Sequence, residues 1–250
     1  MVLRKITIVL FAILFIPVSA FCLDYGIGVK GGVGFSFFRG DDYQALLDFG
    51  TTAVEPYGTY FRTRFMLSYS AGVFAELGLL DFFSIQPEAI FTFGGGAYGY
   101  PENYSLYDYK EYLKMTYVEL PALVKIRYAR RIKPRYARKR GSFEWIRCSI
   151  YAGPGIAFLL GDGKAMSKVD REEYMSAELP PNYFKDFYYF LIFGAGVDIG
   201  RGNSRTYTTV DLRYHMGWSS IMHPDMDAED FQANNIQLLI GFAIGSGPGK

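Results

Sequence analysis

The chain has 250 residues, enough for one large β domain or two small ones, and a net charge of +1, which gives no global nucleic-acid character. Its aromatic content of 18%, with 21 Tyr and 22 Phe, is what aromatic girdles at two membrane interfaces would require, although an aromatic-rich soluble barrel would show the same figure.

Residues 1–22 have the pattern of a secretory signal. Arg4 and Lys5 form the basic start, and Ile6 to Val18 an apolar run that is short for a spanning helix. Val18-Ser19-Ala20 and Ala20-Phe21-Cys22 are both acceptable cleavage sites. Phe21 before Cys22 makes a poor lipobox, so Cys22 is read as unlipidated. Cleavage removes two bases and takes the net charge from +1 to −1. If Cys22 goes as well, Cys148 stands alone and no internal disulfide is possible. Residues 23–250 then form one domain. No apolar run of helix-spanning length follows the signal; Phe187 to Val197 is broken by Gly194 and Gly196 and followed by Asp198. Such an exported chain is secreted, periplasmic, or an outer-membrane barrel.

Eight segments alternate with period two: Tyr25–Phe38, Ser68–Leu79, Phe82–Gly95, Tyr112–Tyr128, Trp145–Leu160, Phe187–Gly200, Arg205–Ser219 and Asn235–Gly245. Each can cross a bilayer as a tilted strand, which takes roughly 9–11 residues. The first presents Tyr25, Ile27, Val29, Val33, Phe35 and Phe37 on one face. The fourth is the clearest. Val118, Leu120, Ala122, Val124, Ile126 and Tyr128 share one face, while Glu119, Lys125 and Arg127 share the other with Tyr117. The last presents Ile236, Leu238, Ile240, Phe242 and Ile244.

The opposite faces collect glycines and ten charges: Lys30, Glu76, Glu88, Glu119, Lys125, Arg127, Arg147, Asp198, Asp211 and Arg213. Five are basic and five acidic. A closed, narrow lumen needs both features, because confined charges must pair and crowded walls need small residues. One cross-barrel network is therefore expected, with Glu119 at mid-membrane paired to a base, and with a plugged lumen.

Long and short connections alternate. Arg39–Leu67, Gly96–Glu111, Gly161–Asp186 and Ser220–Asn234 are long, whereas Leu80-Asp81 and Arg201–Ser204 are short. This is the pattern of external loops and periplasmic turns, with both chain ends periplasmic. The connection Ala129–Glu144 departs from it and carries Arg130, Arg131, Lys133, Arg135, Arg138, Lys139 and Arg140. It has three readings: binding anionic headgroups, docking a periplasmic partner, or simple solvation.

Four segments carry a family resemblance: Tyr117-Val-Glu-Leu-Pro-Ala-Leu-Val-Lys, Ile150-Tyr-Ala-Gly-Pro-Gly-Ile, Phe193-Gly-Ala-Gly-Val-Asp and Ile236-Gln-Leu-Leu-Ile-Gly-Phe. They resemble the PorT-like outer-membrane β-barrel domain family over essentially the whole mature chain. The resemblance implies an eight-stranded antiparallel up-and-down barrel in the outer membrane, and a family in which some members assist protein secretion.

Signals for chemistry are sparse. His215 shares a strand face with Asp211 and Ser219, but a spacing of four along a strand separates Asp211 and His215 by about 13 Å, too far for a dyad. The loop His223-Pro-Asp-Met-Asp-Ala-Glu-Asp230 has four carboxylates in six positions, yet it lacks the glycine and spacing of a calcium loop and reads as a solvated acidic segment. No cofactor or metal site is expected. The leading expectation is a monomeric, non-enzymatic barrel in contact with outer-membrane lipid. It would bind no nucleic acid and would meet a periplasmic or surface protein through its loops or its basic turn. The alternatives are a small OmpW-like channel for hydrophobic molecules, disfavoured by the charged interior, and a lipid-modifying enzyme.

Overall fold

A computed structural model describes residues 24–39, 62–99, 109–131, 145–160, 164–169, 172–178, 184–200, 205–222 and 231–245. Residues 1–22, read above as a secretory signal, and the acidic loop 223–230 lie outside them. The strands are β1 (Asp24–Arg39), β2 (Arg62–Arg64), β3 (Met66–Leu80), β4 (Phe83–Gly99), β5 (Tyr109–Arg131), β6 (Trp145–Leu159), β7 (Lys164–Val169), β8 (Glu172–Glu178), β9 (Phe187–Gly200), β10 (Thr206–Gly217) and β11 (Gln232–Gly245).

Eight of them close a ring. In order around it, β1, β3, β4, β5, β6, β9, β10 and β11 pair antiparallel with their neighbours, and β11 returns to β1 through fourteen consecutive pairs from Gly26↔Gly245 to Arg39↔Gln232. The eight alternating segments of the sequence are these eight strands. Closure removes every free edge from the ring, which lipid demands because no water there can satisfy an unpaired backbone group.

Side-chain parity fixes which face lies outside. Ile27 is 63% exposed, Ile150 62%, Leu212 56% and Ile240 58%, while Lys30, Glu76, Lys125, Arg213 and Asp211 on the opposite faces are buried. An apolar exterior around a charged interior is the inverse of a water-soluble sandwich, and it is the arrangement of a barrel whose solvent is lipid.

Two expectations about the connections change. The tight turn between β3 and β4 is Asp81-Phe82 rather than Leu80-Asp81, because β3 runs to Leu80 and β4 starts at Phe83. The long connections also contain strands. β2 pairs with the end of β4 at Arg62↔Gly99, and the β7–β8 hairpin pairs with the first turns of β5 at Tyr109↔Val169 to Lys114↔Lys164. The sheet β2-β4-β5-β7-β8 thus continues beyond the ring at the long-loop end. Only β4 and β5, with 17 and 23 residues, are long enough to serve both parts.

Where β4 passes from ring to extension, Gly95 adopts φ +146°, a conformation that side chains rarely take. An added Cβ there would meet the Leu113 carbonyl oxygen at 1.8 Å, and Ser36 Oγ accepts the Gly95 N–H at 3.0 Å.

Other glycines make room for rings inside the lumen. A Cβ on Gly200 would lie 2.0 Å from Trp145 Cζ2, and the Trp145 indole is itself buried against Tyr207 with ring centroids 5.8 Å apart. Gly200→Ala is expected to destabilise the barrel by roughly 1–3 kcal/mol, the usual cost of overpacking. Trp145→Leu should relieve most of that in the double variant. Urea unfolding of protein folded into phospholipid vesicles, read by tryptophan-independent gel mobility, checks both.

Candidate functional site: the lumen

The lumen is built in layers. In the half nearer the short turns, Phe74, Trp145, Tyr207 and Ala243 form an apolar cluster. Among them lies the first group of charges. Glu76 is its centre, since its carboxylate meets Arg127 Nη1 at 2.8 Å, Arg147 Nη2 at 3.0 Å and Lys125 Nζ at 3.8 Å. Arg147 Nε also donates to Asp198 Oδ2 at 2.7 Å. Arg127 reaches Asp24 Oδ2 at 3.1 Å and donates to the Leu80 carbonyl at 2.8 Å, which ties the network to the β3–β4 turn.

The second group lies one layer up. Glu88 takes Lys30 Nζ at 2.7 Å and Arg213 Nη1 at 2.8 Å. Lys30 Nζ also meets Asp211 Oδ2 at 2.9 Å, and its ammonium stands 4.6 Å from the centre of the Phe74 ring. Gln86 joins the layers, because its Nε2 donates to Glu88 and its Oε1 accepts from Lys125 Nζ at 2.9 Å.

The connected network thus holds five bases, Lys30, Lys125, Arg127, Arg147 and Arg213, and five acids, Asp24, Glu76, Glu88, Asp198 and Asp211. The ten residues singled out in the sequence all point inward and are buried. The pairing differs from expectation in one place. Among the described residues Glu119 meets no Lys or Arg, and its carboxylate lies against the His215 imidazole, with Nδ1 3.4 Å from Oε1. Asp24, at the first position of β1, takes the fifth acid's place instead. Parity had assigned Glu119 to the lumen correctly, but it says nothing about height, and Glu119 stands above Lys125 and Arg127 by six and eight residues of β5.

Above the charges the lumen becomes apolar. Tyr117, Tyr188 and Phe190 pack around His215, whose ring lies 4.0 Å from that of Phe190 and is stacked at 6.2 Å on Tyr188. Phe38, Leu113, Met115, Phe184, Ile221, Met222 and Phe231 continue the cluster to the long-loop end. The charges thus fill one half of the lumen, and the other holds an aromatic cluster beside the buried polar residues Ser36, Ser68, Thr92, Asn234 and Asn235.

Between the halves lies a cavity of about 10 Å³, room for one water molecule, lined by Tyr117, Glu119, Tyr188, His215 and Asn234 among others. The Tyr117 hydroxyl, both His215 ring nitrogens and Asn234 Nδ2 have no protein hydrogen-bond partner.

Other expected features fall as follows. His215 and Ser219 share no hydrogen bond, and Ser219 Oγ accepts instead from the Tyr189 N–H at 2.9 Å. Cys148 is exposed on the outer face of β6. Of the basic turn, Arg130 is exposed at the end of β5 and Arg131 is its last residue. Lys133, Arg135, Arg138, Lys139 and Arg140 lie outside the described residues. Among the described residues, no group of three or more His, Cys, Asp or Glu side chains is placed to hold a metal ion.

The two acids should respond differently to removal. Glu76→Ala leaves three bases facing one another without their shared carboxylate, and is expected to cost roughly 3–5 kcal/mol. Glu119→Ala leaves only an imidazole, which can be neutral, and should cost well under that. Vesicle unfolding midpoints of the two variants test the ordering; equal losses would count against it.

Comparison with known proteins places these features in a family. No curated protein matches the chain. Among solved structures, Ail, the attachment invasion locus protein of Yersinia pestis, in complex with the heparin analogue sucrose octasulfate, is similar over 88% of this chain and 99% of its own, at 12% identity and a TM-score of 0.33. Neisserial surface protein A matches over 87% and 96% at 10% identity and 0.38. OprG from Pseudomonas aeruginosa matches over 89% and 95% at 10% identity and 0.34. Residues 23–223 match the family described as outer membrane protein beta-barrel domain. With a closed eight-stranded ring and an apolar exterior, the chain belongs to that family and is a protein of the bacterial outer membrane.

Proposed function

We propose that this protein is a non-enzymatic barrel that acts through its two ends as a surface-binding or envelope/secretion-assisting component, with residues 1–22 removed on export. The observation that carries this reading is the filled lumen. A neutral charge network in one half and an aromatic plug in the other leave the ends of the barrel as the surfaces on which it can meet a partner. At one end stands the extension β2-β4-β5-β7-β8, and at the other the basic turn that begins with Arg130 and Arg131. The PorT-like resemblance of the four quoted segments agrees with a role in secretion. The separation of His215 from Ser219 supports the absence of catalysis.

Sidedness follows the rule for outer-membrane barrels, with long loops outside and short turns in the periplasm. In a Cys148→Ser background, single cysteines at Asp48, Asp170 and Asp227 should react with an impermeant maleimide on intact cells. One at Lys133 should react only after the outer membrane is opened. The opposite pattern would invert the orientation.

Function is tested in a strain lacking the gene. A His215→Ala/Ser219→Ala double variant should restore the envelope phenotype as the wild type does, and a chain lacking residues 164–178 should not. Failure of the His/Ser variant alone would point to an enzyme. In planar bilayers the wild type should show no steady conductance; large stable channels would favour the channel for hydrophobic molecules.

A further inference from the structure

The outer wall is not uniformly bulky. Across β5, β6, β9 and β10, in the half nearer the short turns, two ladder rows run side by side. One is Tyr128↔Cys148↔Val197↔Val210, the other Ile126↔Ile150↔Ala195↔Leu212. The diagonal Cys148, Val197 and Ala195 across these rows is low, because those residues are small. Its bounds are high, because Ile126, Tyr128, Ile150 and Leu212 are large and more than half exposed. The result is a shallow apolar trough of about 610 Å³ in the lipid-facing wall.

Its head is chemically different. Arg130 follows Ile126 and Tyr128 on the same outward face of β5 and is exposed. Its outward neighbours along the ladder are Ile146, Ile199 and Thr208, none of them acidic. Apolar side chains, then a tyrosine, then a cation is the order in which a bilayer changes from hydrocarbon to headgroup. A guanidinium at that depth is built for a phosphate, which it can hold by two parallel hydrogen bonds.

We propose that this trough docks one anionic phospholipid molecule, with an acyl chain over Cys148, Ala195 and Val197 and its phosphate on Arg130. Charge complementarity and membrane immersion argue for this occupant, since the wall faces lipid and none of Arg130's ladder neighbours is acidic. That the leaflet involved is the periplasmic one rests on the sidedness given under Proposed function; the docking itself does not.

The test uses the full mature chain in detergent loaded with equal amounts of phosphatidylglycerol and phosphatidylethanolamine, followed by native mass spectrometry. The wild type should retain one phosphatidylglycerol in preference to phosphatidylethanolamine. Arg130→Gln should hold it about fivefold less tightly, the worth of one basic residue at an anionic surface. Ala195→Leu/Val197→Leu fills the trough and should lower retention of both lipids. Arg130 is exposed, so its variant folds independently of the trough, and the gel shift on boiling verifies folding of each. Undiminished phosphatidylglycerol on Arg130→Gln, or equal retention of the two lipids by the wild type, would overturn the proposal. Because the readout is made in detergent, an inverted labelling pattern on cells would move the site to the other leaflet without touching it.

Discussion

Glu76 accepts three bases at once, and much of the barrel is arranged so that this is possible. A carboxylate has room for about four donors, and Glu76 fills its oxygens with Arg127, Arg147, Lys125 and the Ser84 hydroxyl. Those partners come from β4, β5 and β6, the three strands that follow β3 around the ring, so four neighbouring strands converge on one carboxylate. Burying so much charge is costly unless each group is matched in both sign and geometry. The match here is complete in sign: five bases and five acids form one connected set, with the neutral Gln86 bridging its two layers. Strand pairing makes a ring, but the network fixes what lies opposite what across it.

The aromatic half answers the same constraint by other means. Toward the long-loop end the lumen holds rings in place of charges, and among the described buried residues there only Glu119 carries a carboxylate. That residue sits on the boundary, with His215 against it and aromatic faces on either side. The barrel interior is thus divided along its axis, and the polar cavity marks the join.

How much of this was legible in the sequence depends on what a period of two can carry. It tells which side of a strand a residue takes, and so all ten charges, the outward apolar rows and the eight ring strands could be read directly. It carries no information on height or on which wall faces which. Hence Glu119 looked equivalent to Glu76, and Asp24 passed unnoticed because it precedes the first apolar residue of β1. Gln86 was invisible for a different reason: a neutral amide looks like any small polar lumen residue until its two neighbours are known to be Lys125 and Glu88. The extension was missed because β2, β7 and β8 are short and polar, as in Glu172-Glu-Tyr-Met-Ser-Ala-Glu178; β2 and β7 pair with the overlong β4 and β5, and β8 with β7.

Lys30 bridges residues that are 58 and 181 positions away in the chain. That separation bears on how the barrel is made. The amine arrives with the first strand, but Asp211 arrives with the seventh member of the ring, and the seam between β1 and β11 closes only after the eighth. Until then a partly inserted sheet would hold its upper charges with only some of their partners, a state that lipid penalises. Lys30 has Glu88 from the third ring strand onward, but Asp211 and Arg213 join only with the seventh, so the upper group of charges is matched in full only when the barrel is nearly complete.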